Sequence, residues 1–377
     1  MDTSTELRQL ADDFNGTGRC RHGRACPLGR ETLLAACVPP LRPTSPSSSP
    51  TAPIRRVSRS VALATLVLFL GVACGGSGGA KQNAAGDGGG TALAPDGVSL
   101  LLYKDPAVSM VFAAELPPHQ RVWEFGGETE TDKDLLVAIS CTPDGKRAAY
   151  LMQSIDSGGG GTLKISGRSE PIAISGQSSG ITWAPDGSKI ALTTLDTQSS
   201  ANQLQLVDTQ TGEVSTVASG NGPVGPPRWS PDGSRIVFDA WDGQQFAIFV
   251  YRIGDPAASK LKERTTSALA PDWSPDGMVL VFAAPGSEKQ ATFQLYKMNA
   301  DGSDETQITS SAVAKALPRW APDGSLIAFS GSVGDLEVYT VKPDGSDERS
   351  LTDIPRGARL GGWCISGPWL TENWTSK

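Results

Sequence analysis

Histidine is scarce in this chain, whose 377 residues contain only two, His22 and His119. Histidine is the most frequent general acid or base in enzymes, so this scarcity argues against a Ser-His-Asp triad and against a cluster of histidine metal ligands. His119 follows two prolines, and a solvated loop residue is its simplest interpretation. We therefore predict a protein that is not an enzyme, with no catalytic residue, no metal ligand and no cofactor.

The chain also lacks a basic surface. Its 33 Lys and Arg residues are outnumbered by 40 Asp and Glu, which gives a net charge of −7. The first 73 residues hold nine Arg and five acidic residues (+4), which leaves −11 on residues 74–377. Phosphate backbones require a basic footprint, so nucleic acid is not an expected partner, and neither is an anionic lipid surface.

No apolar run is long enough to cross a membrane comfortably, which takes about 20 residues. The run at 61–73 has 13 residues, follows a basic flank that begins at Arg55, and ends at Cys74. These are the features of a secretory signal. We predict a signal peptide at 55–74 with acylation of Cys74, followed by a Gly-rich linker at 75–90. Cleavage nearby without acylation, or an uncleaved anchor, are the alternatives.

The segment ahead of that signal has no periodic apolar pattern. Residues 1–54 include a Ser/Pro run at 43–53 and no lysine, since the first lysine of the chain is Lys81. Secretory signals normally lie near the start of a chain. We therefore predict that 1–54 is disordered and that translation starts further in, with Val57 as one candidate.

Cysteine is infrequent as well. Of six residues, only Cys74, Cys141 and Cys364 remain after the predicted processing. Acylation of Cys74 leaves an even pair outside the cytoplasm, where disulfides persist. Cys141 and Cys364 are thus a candidate disulfide, with two buried free thiols as the alternative.

One motif recurs throughout the remaining sequence. Trp-(Ser or Ala)-Pro-Asp-Gly begins at Trp183, Trp229, Trp273 and Trp320, and a degenerate copy begins at Cys141. A Pro-Asp-Gly without the Trp lies further upstream. The turn residues are Pro95, Asp96, Gly97, Pro143, Asp144, Gly145, Pro185, Asp186, Gly187, Pro231, Asp232, Gly233, Pro275, Asp276, Gly277, Pro322, Asp323 and Gly324. Successive prolines are 42 to 48 residues apart, a period typical of repeats that stack and bury their faces against one another.

Each motif lies between two short strand-like segments. Proline sets φ for a type I turn, aspartate bonds its own backbone and glycine accepts positive φ. Thr211-Gly212, Asp301-Gly302 and Asp344-Gly345 supply a second turn signal at equivalent positions, typical of hairpins. Four short strands per period predict an all-β fold, a single β-propeller. The Trp is predicted to wedge between neighbouring blades.

The number of units predicts six blades of four antiparallel strands over residues 91–370, with a short tail at 371–377. The segment 359–365 carries Trp363, which lies 43 residues after Trp320 but precedes no Pro-Asp-Gly. We expect this segment to complete the first blade and close the ring, which removes exposed strand edges. Seven blades is the alternative if the segment forms a blade of its own.

These motifs resemble the WD-repeat-like propeller of the TolB family of periplasmic proteins. The resemblance covers about 91–370 and implies a propeller fold. TolB itself carries an α/β domain ahead of its propeller, for which the Gly-rich linker at 75–90 leaves no counterpart. TolB's own partners are therefore not expected here.

Three charged residues occupy the position before the Trp in successive units: Arg228, Asp272 and Arg319. They are candidates either for a charge network between blades or for the rim of a binding surface. The function that this sequence favours is a monomeric, lipid-anchored, non-catalytic scaffold in the cell envelope, facing the periplasm or exterior. Its expected partner is an envelope protein, peptide or glycan. The alternative is an envelope enzyme of the metal-dependent lyase or lactonase type that uses carboxylates in the propeller channel.

Overall fold

The computed structural model describes residues 99–105, 110–115, 122–125, 134–154, 160–286, 292–351, 357–365 and 374–376. These residues form strands and no helix, and no segment among them is a helix with the length and hydropathy needed to cross a bilayer. The predicted leader, signal peptide, Cys74, linker, His119 and the turn at 95–97 lie outside the described residues.

Twenty-five strands are present in the described part of the chain. In chain order they are β1 (Ser99–Asp105), β2 (Met110–Glu115), β3 (Val122–Phe125), β4 (Asp134–Cys141), β5 (Ala148–Ser154), β6 (Gly161–Ile165), β7 (Ile172–Ile174), β8 (Gln177–Trp183), β9 (Lys189–Leu195), β10 (Ala201–Asp208), β11 (Val214–Asn221), β12 (Arg228–Trp229), β13 (Arg235–Trp241), β14 (Phe246–Arg252), β15 (Ser259–Lys260), β16 (Leu269–Trp273), β17 (Val279–Pro285), β18 (Phe293–Asn299), β19 (Thr306–Gln307), β20 (Ala314–Trp320), β21 (Ile327–Ser332), β22 (Leu336–Val341), β23 (Arg349–Ser350), β24 (Arg359–Ile365) and β25 (Trp374–Ser376).

These strands pair into six antiparallel sheets, the blades of a propeller. Blade 1 has the order β24-β1-β2-β3-β25, and blades 2 to 6 each use four consecutive strands, from β4–β7 to β20–β23. The predicted all-β fold with six blades is confirmed. Blade 1 extends beyond the predicted end of the propeller at residue 370, because β25 pairs with β3 as a fifth strand.

The Pro-Asp-Gly segments form the turns between the first and second strands of blades 2 to 6. In blade 4 the N–H of Gly233 donates to the carbonyl of Ser230 at 2.9 Å, and Asp232 Oδ1 accepts the N–H of Ser234 at 3.0 Å. The glycine has a φ of 72°, and its four counterparts have φ between 65° and 74°. Any residue with a Cβ would be strained there, which explains why the motif ends in glycine.

The ring closes through the C-terminal strand. β24 pairs antiparallel with β1, from Ser99 opposite Ile365 to Lys104 opposite Arg359, so that it becomes the first strand of blade 1. The first strands of all six blades then contact one another in a closed cycle, β24-β4-β8-β12-β16-β20. The segment that carries Trp363 therefore completes blade 1, and no seventh blade forms among the described residues.

The hydrophobic core lies between neighbouring blades, so both faces of each sheet are covered. Along β13, Ile236 and Phe238 pack towards blade 3 with Leu204, whereas Val237 packs towards blade 5 with Phe282. Successive side chains of a strand point to opposite faces. This is why the second strands read as continuous apolar runs.

Candidate functional site on the inner strands

The tryptophans of the motif connect neighbouring blades. Trp183 and Trp273 are buried. Three of the indoles hydrogen-bond to the preceding blade, each to the residue that comes just before the corresponding Trp or Cys of that blade. Trp183, Trp273 and Trp363 donate from Nε1 to the carbonyls of Ser140, Arg228 and Arg319 at 3.1, 3.2 and 3.3 Å. This geometry is that of the structural wedge expected from the sequence.

The turns of neighbouring blades also touch. A Cβ placed on Gly277 would lie 3.5 Å from the ring of Pro231, and one on Gly233 would lie 3.6 Å from Pro185. The proline of each motif thus packs against the glycine of the next. The motif residues hold the ring together, and a site must be sought elsewhere.

The structure brings together the three charged residues that precede the tryptophans. Asp272 lies between the two arginines: its Oδ1 is 3.5 Å from Arg228 Nε, and its Oδ2 accepts the N–H of Trp320 at 2.8 Å. The carboxylate therefore links blades 4, 5 and 6 at their first strands. The side chains of Arg228 and Asp272 keep 16% and 14% of their exposure.

A fourth charged residue, Asp239 on β13, belongs to the same group and was not among the predicted site residues. It is 1% exposed, and its Oδ1 accepts the N–H of Ala270 in blade 5 at 2.8 Å. Gly225 lies directly against this carboxylate, and a methyl group there would overlap it. The available sequence signal was an acidic residue inside an otherwise apolar second strand. We refer to Arg228, Asp239, Asp272 and Arg319 as the inner-strand charge cluster.

The contact made by Asp239 has uncharged equivalents in other blades. Thr193 and Ser330 occupy the same position, three residues after the strand partner of the motif Trp. Thr193 Oγ1 donates to the carbonyl of Gly225 at 2.7 Å, and Ser330 Oγ accepts the N–H of Leu360 at 3.1 Å. Thr193 reaches the segment that leads into the first strand of blade 4, and Ser330 reaches the first strand of blade 1. Blade 4 alone among these three makes the contact with a carboxyl group.

Burial dominates the electrostatics of the cluster. It raises the pKa of Asp239 to about 6, against the opposing effects of the Ala270 N–H and Arg319. Burial, together with the nearby charge of Arg228, lowers the pKa of Arg319 to about 9. Burial also raises the pKa of Asp272, which the two arginines oppose. Removing charges from water is costly unless each is paired, so this cluster is an expensive feature of the fold.

Backbone strain occurs beside the cluster. Ala270 and Leu317 both have a φ of 52°, a left-handed conformation that costs a non-glycine residue on the order of 1–3 kcal/mol. Each sits in a bulge of the inner strand, just before a proline and within two residues of Asp272 or Arg319. Such strain concentrates at functional sites.

The chemistry of the cluster is that of recognition by hydrogen-bond donors. The Nε atoms of Arg228 and Arg319 are buried and make no hydrogen bond, although Asp272 Oδ1 lies 3.5 Å from that of Arg228. In the described part of the chain, no group of three or more His, Cys, Asp or Glu residues is arranged to hold a metal ion.

The two cysteines of the predicted pair meet at the closure of the ring. Cys141 on β4 and Cys364 on β24 are joined as a disulfide, with their Cα atoms 5.8 Å apart and a sequence separation of 223. Cys364 is 2% exposed. The bond connects β24, the strand that closes the ring in blade 1, to the inner strand of blade 2.

Comparison with known proteins identifies the repeat. Residues 136–358, more than half of the chain, match the family described as TolB beta propeller domain. No curated protein matches the sequence significantly.

Among solved structures, a TolB from Acinetobacter baumannii is similar, with 15% identity and a TM-score of 0.52 over 70% of this chain and 66% of that one. One chain of a nidogen/laminin complex has 12% identity and a TM-score of 0.52 over 71% of this chain and 98% of that one. A protein from Agrobacterium tumefaciens assigned as a TolB has 22% identity and a TM-score of 0.49 over 67% and 88%. At such identities these likenesses concern the fold alone.

Proposed function

Because this chain belongs to the TolB beta propeller family, we propose that it is a non-catalytic binding scaffold of the cell envelope, held at the membrane by an acyl group on Cys74. Its partner is an envelope protein, peptide or glycan bound at the axial end of the ring. The observation that carries this proposal is the inner-strand charge cluster, which gathers four ionisable side chains from three consecutive blades.

The cost of the cluster supports binding over a purely structural role. The equivalent inter-blade contacts of Thr193 and Ser330 are made with hydroxyl groups, so the ring does not need charges at this position. Buried donors without acceptors cost about 1–3 kcal/mol each. Retaining such groups beside strained backbone favours a site that is completed by a ligand.

The proposed location rests on the sequence and on the disulfide. A basic flank, a short apolar run and Cys74 form the signal of an exported lipoprotein. A disulfide between Cys141 and Cys364 suits an oxidising compartment.

Affinity capture from detergent-solubilised envelopes, with the full chain as bait, tests the binding role. We expect a partner that the wild type retains and that Asp272→Asn loses. Arg252→Gln, a change at an exposed arginine of β14, is the matched control and should retain the partner. Equal capture by all three proteins would contradict binding at the cluster.

The tether has its own test. Cys74→Ser should move the protein from the membrane fraction to the soluble extracytoplasmic fraction, because it removes the thiol that is acylated. Continued membrane association of this variant, or recovery of the wild type from the cytosol, would refute the proposed location.

The enzyme alternative is favoured by the two buried carboxyl groups of the cluster: burial raises the pKa of Asp239 to about 6 and also raises the pKa of Asp272. Carboxyl groups with perturbed pKa values are frequent at catalytic sites. Elemental analysis of the purified protein separates the two functions. Stoichiometric calcium, manganese or zinc would favour the enzyme.

A further inference from the structure

We propose that the inner-strand charge cluster binds a carboxylate group, which serves as a counterion in direct contact with Arg319. The inference rests on the proposed function and specifies its ligand chemistry. The carboxylate belongs either to a small free acid or to a peptide, as a side chain or a C-terminus.

Arg319 is the residue that requires a ligand. It is 6% exposed, and its Nη1 donates to the carbonyl of Pro318 at 2.6 Å, whereas its buried Nε has no acceptor. Among the described residues no carboxylate oxygen lies within ion-pair distance of its guanidinium, and Asp272 and Asp239 act on its charge only from farther away. Burying a charged group is costly unless it is directly paired, and an anion in contact with the guanidinium would offset that cost.

The balance of charges also favours an anion. Two arginines face the carboxylate of Asp272, which is ion-paired with Arg228 and acts on Arg319 from farther away. Asp239 is enclosed by Gly225 and the backbone of Ala270, an environment that favours its neutral form. The cluster is therefore net positive at mildly acidic pH, although residues 74–377 carry −11.

The neighbouring groups select a carboxylate over other ions. The planar fork of a guanidinium matches the two oxygens of a carboxylate. A doubly charged phosphate would face Asp272 at close range, and a cation would face both arginines.

The ligand has a route to the cluster. Arg228 and Asp272 retain 16% and 14% of their side-chain exposure, so solvent reaches the group from their side. Both lie on the first strands, which form the closed inner cycle of the ring. The ligand would thus enter along the axis.

Calorimetric titration of the full chain in detergent tests the proposal with three probes: acetate, a short peptide with a free C-terminus and the same peptide amidated but carrying one Asp. We expect saturable binding of at least one probe at pH 5. Binding of acetate alone would identify a small acid, and binding of one peptide would identify its kind of carboxylate. No saturable binding by any probe would overturn the proposal, and so would equal binding of chloride, which would mean an adventitious ion only.

Variants connect the binding to the named residues. Arg319→Met should weaken binding at least tenfold, and Arg319→Lys, which keeps the charge and loses the fork, should also weaken it. Arg252→Met is the matched control and should bind as the wild type does. An unchanged affinity in both Arg319 variants would refute the assignment.

A pH profile keeps the test decisive if Arg319→Met does not fold. Wild-type affinity should fall at least fivefold between pH 5 and pH 7.5, because ionised Asp239 repels the ligand. Asp239→Asn should bind with little pH dependence over this range. Equal profiles for the two proteins would contradict the role of Asp239.

The outcome is separable from that of the proposed function. Partner capture by Arg319→Lys at the wild-type level, with no carboxylate binding by the wild type, would leave the scaffold role standing and remove the carboxylate site. Carboxylate binding without any captured partner would leave the carboxylate site standing and remove the support for the scaffold role.

Discussion

Removal of the disulfide between Cys141 and Cys364 measures how much the ring depends on covalent closure. The bond joins the first strands of blades 1 and 2, and these strands lie on either side of the point where the ring closes. Without it, closure relies on the pairing of β24 with β1 and on packing between blades. We therefore expect the reduced protein to stay folded and to lose stability.

The size of the loss follows from the length of the closed loop. Cys141 and Cys364 are separated by 223 residues, and the chain-entropy model gives about 5 kcal/mol at 25 °C for a loop on the order of 220 residues. Measured effects are commonly smaller, about 2–4 kcal/mol, because the unfolded chain keeps residual structure. Loss of the buried Cys364 side chain adds a packing term when alanine replaces it.

Denaturant unfolding of four proteins, with and without a phosphine reductant, separates the two contributions. The set is the wild type, Cys141→Ala, Cys364→Ala and the double variant. Under oxidising conditions each single variant should lose most of what the double variant loses, since either change breaks the bond. After reduction, the wild type should fall by about 2–5 kcal/mol towards the single variants.

Three results would refute this reasoning. One is an equal unfolding midpoint for oxidised and reduced wild type. Another is alkylation of both cysteines in unfolded protein that has never been reduced. Strict additivity of the single losses under oxidising conditions would likewise show that no bond couples the two residues.

Three further predictions concern side chains at the interfaces of blade 4. Between pH 4 and pH 6 the unfolding free energy should fall as pH rises, because folded Asp239 keeps its proton up to a pKa of about 6 whereas unfolded Asp titrates near 4. Asp239→Asn should remove up to about 3 kcal/mol of this pH-dependent fall. Denaturant unfolding across that range tests it, and parallel pH dependence in the two proteins would contradict the expectation. Gly225→Ala should lower the unfolding free energy by about 1–3 kcal/mol, because the added methyl group overlaps the Asp239 carboxylate. The loss should be smaller when Asp239→Ala is also present, and additive losses in the double variant would exclude the contact. Arg235→Leu should lower the unfolding free energy by about 0.5–1 kcal/mol, because the guanidinium of Arg235 lies 4.5 Å from the ring centroid of Trp273. Thermal unfolding tests this with Arg252→Leu as the exposed control, and equal melting temperatures for the two variants would argue against the ring contact.

The fold was predictable because its determinants are local. Pro231, Asp232 and Gly233 specify their turn without help from distant residues, and the hydrogen bond from Gly233 to Ser230 lies within four residues. Repetition of that turn at a constant spacing fixes the number of blades. Trp363 stood in phase with the repeat, which predicted that the C-terminal segment would close the ring.

The site was predictable only in part, because its contacts join distant segments. Arg228, Asp272 and Arg319 could be grouped by their common position before the Trp. The bond between Asp239 and the N–H of Ala270 spans 31 residues and depends on a bulge that no local pattern indicates. The strand β25 was missed because nothing near Trp374 repeats the motif found elsewhere in the chain.

The two unusual features of this propeller lie in different blades. The disulfide lies between blades 1 and 2, where the ring closes, whereas the inner-strand charge cluster belongs to blades 4 to 6. Hydroxyl groups make the equivalent contacts at Thr193 and Ser330, and Ala283 holds that position in blade 5 with no polar group at all. Since the same contact is made without charge or omitted elsewhere in one ring, blade stacking alone does not require a buried carboxyl at this position. The disulfide and the cluster meet where Trp363, next to Cys364, donates to the carbonyl of Arg319. Ring closure is thus secured by the bond between blades 1 and 2, and the buried charges of blades 4 to 6 are the feature that the proposed binding role would explain.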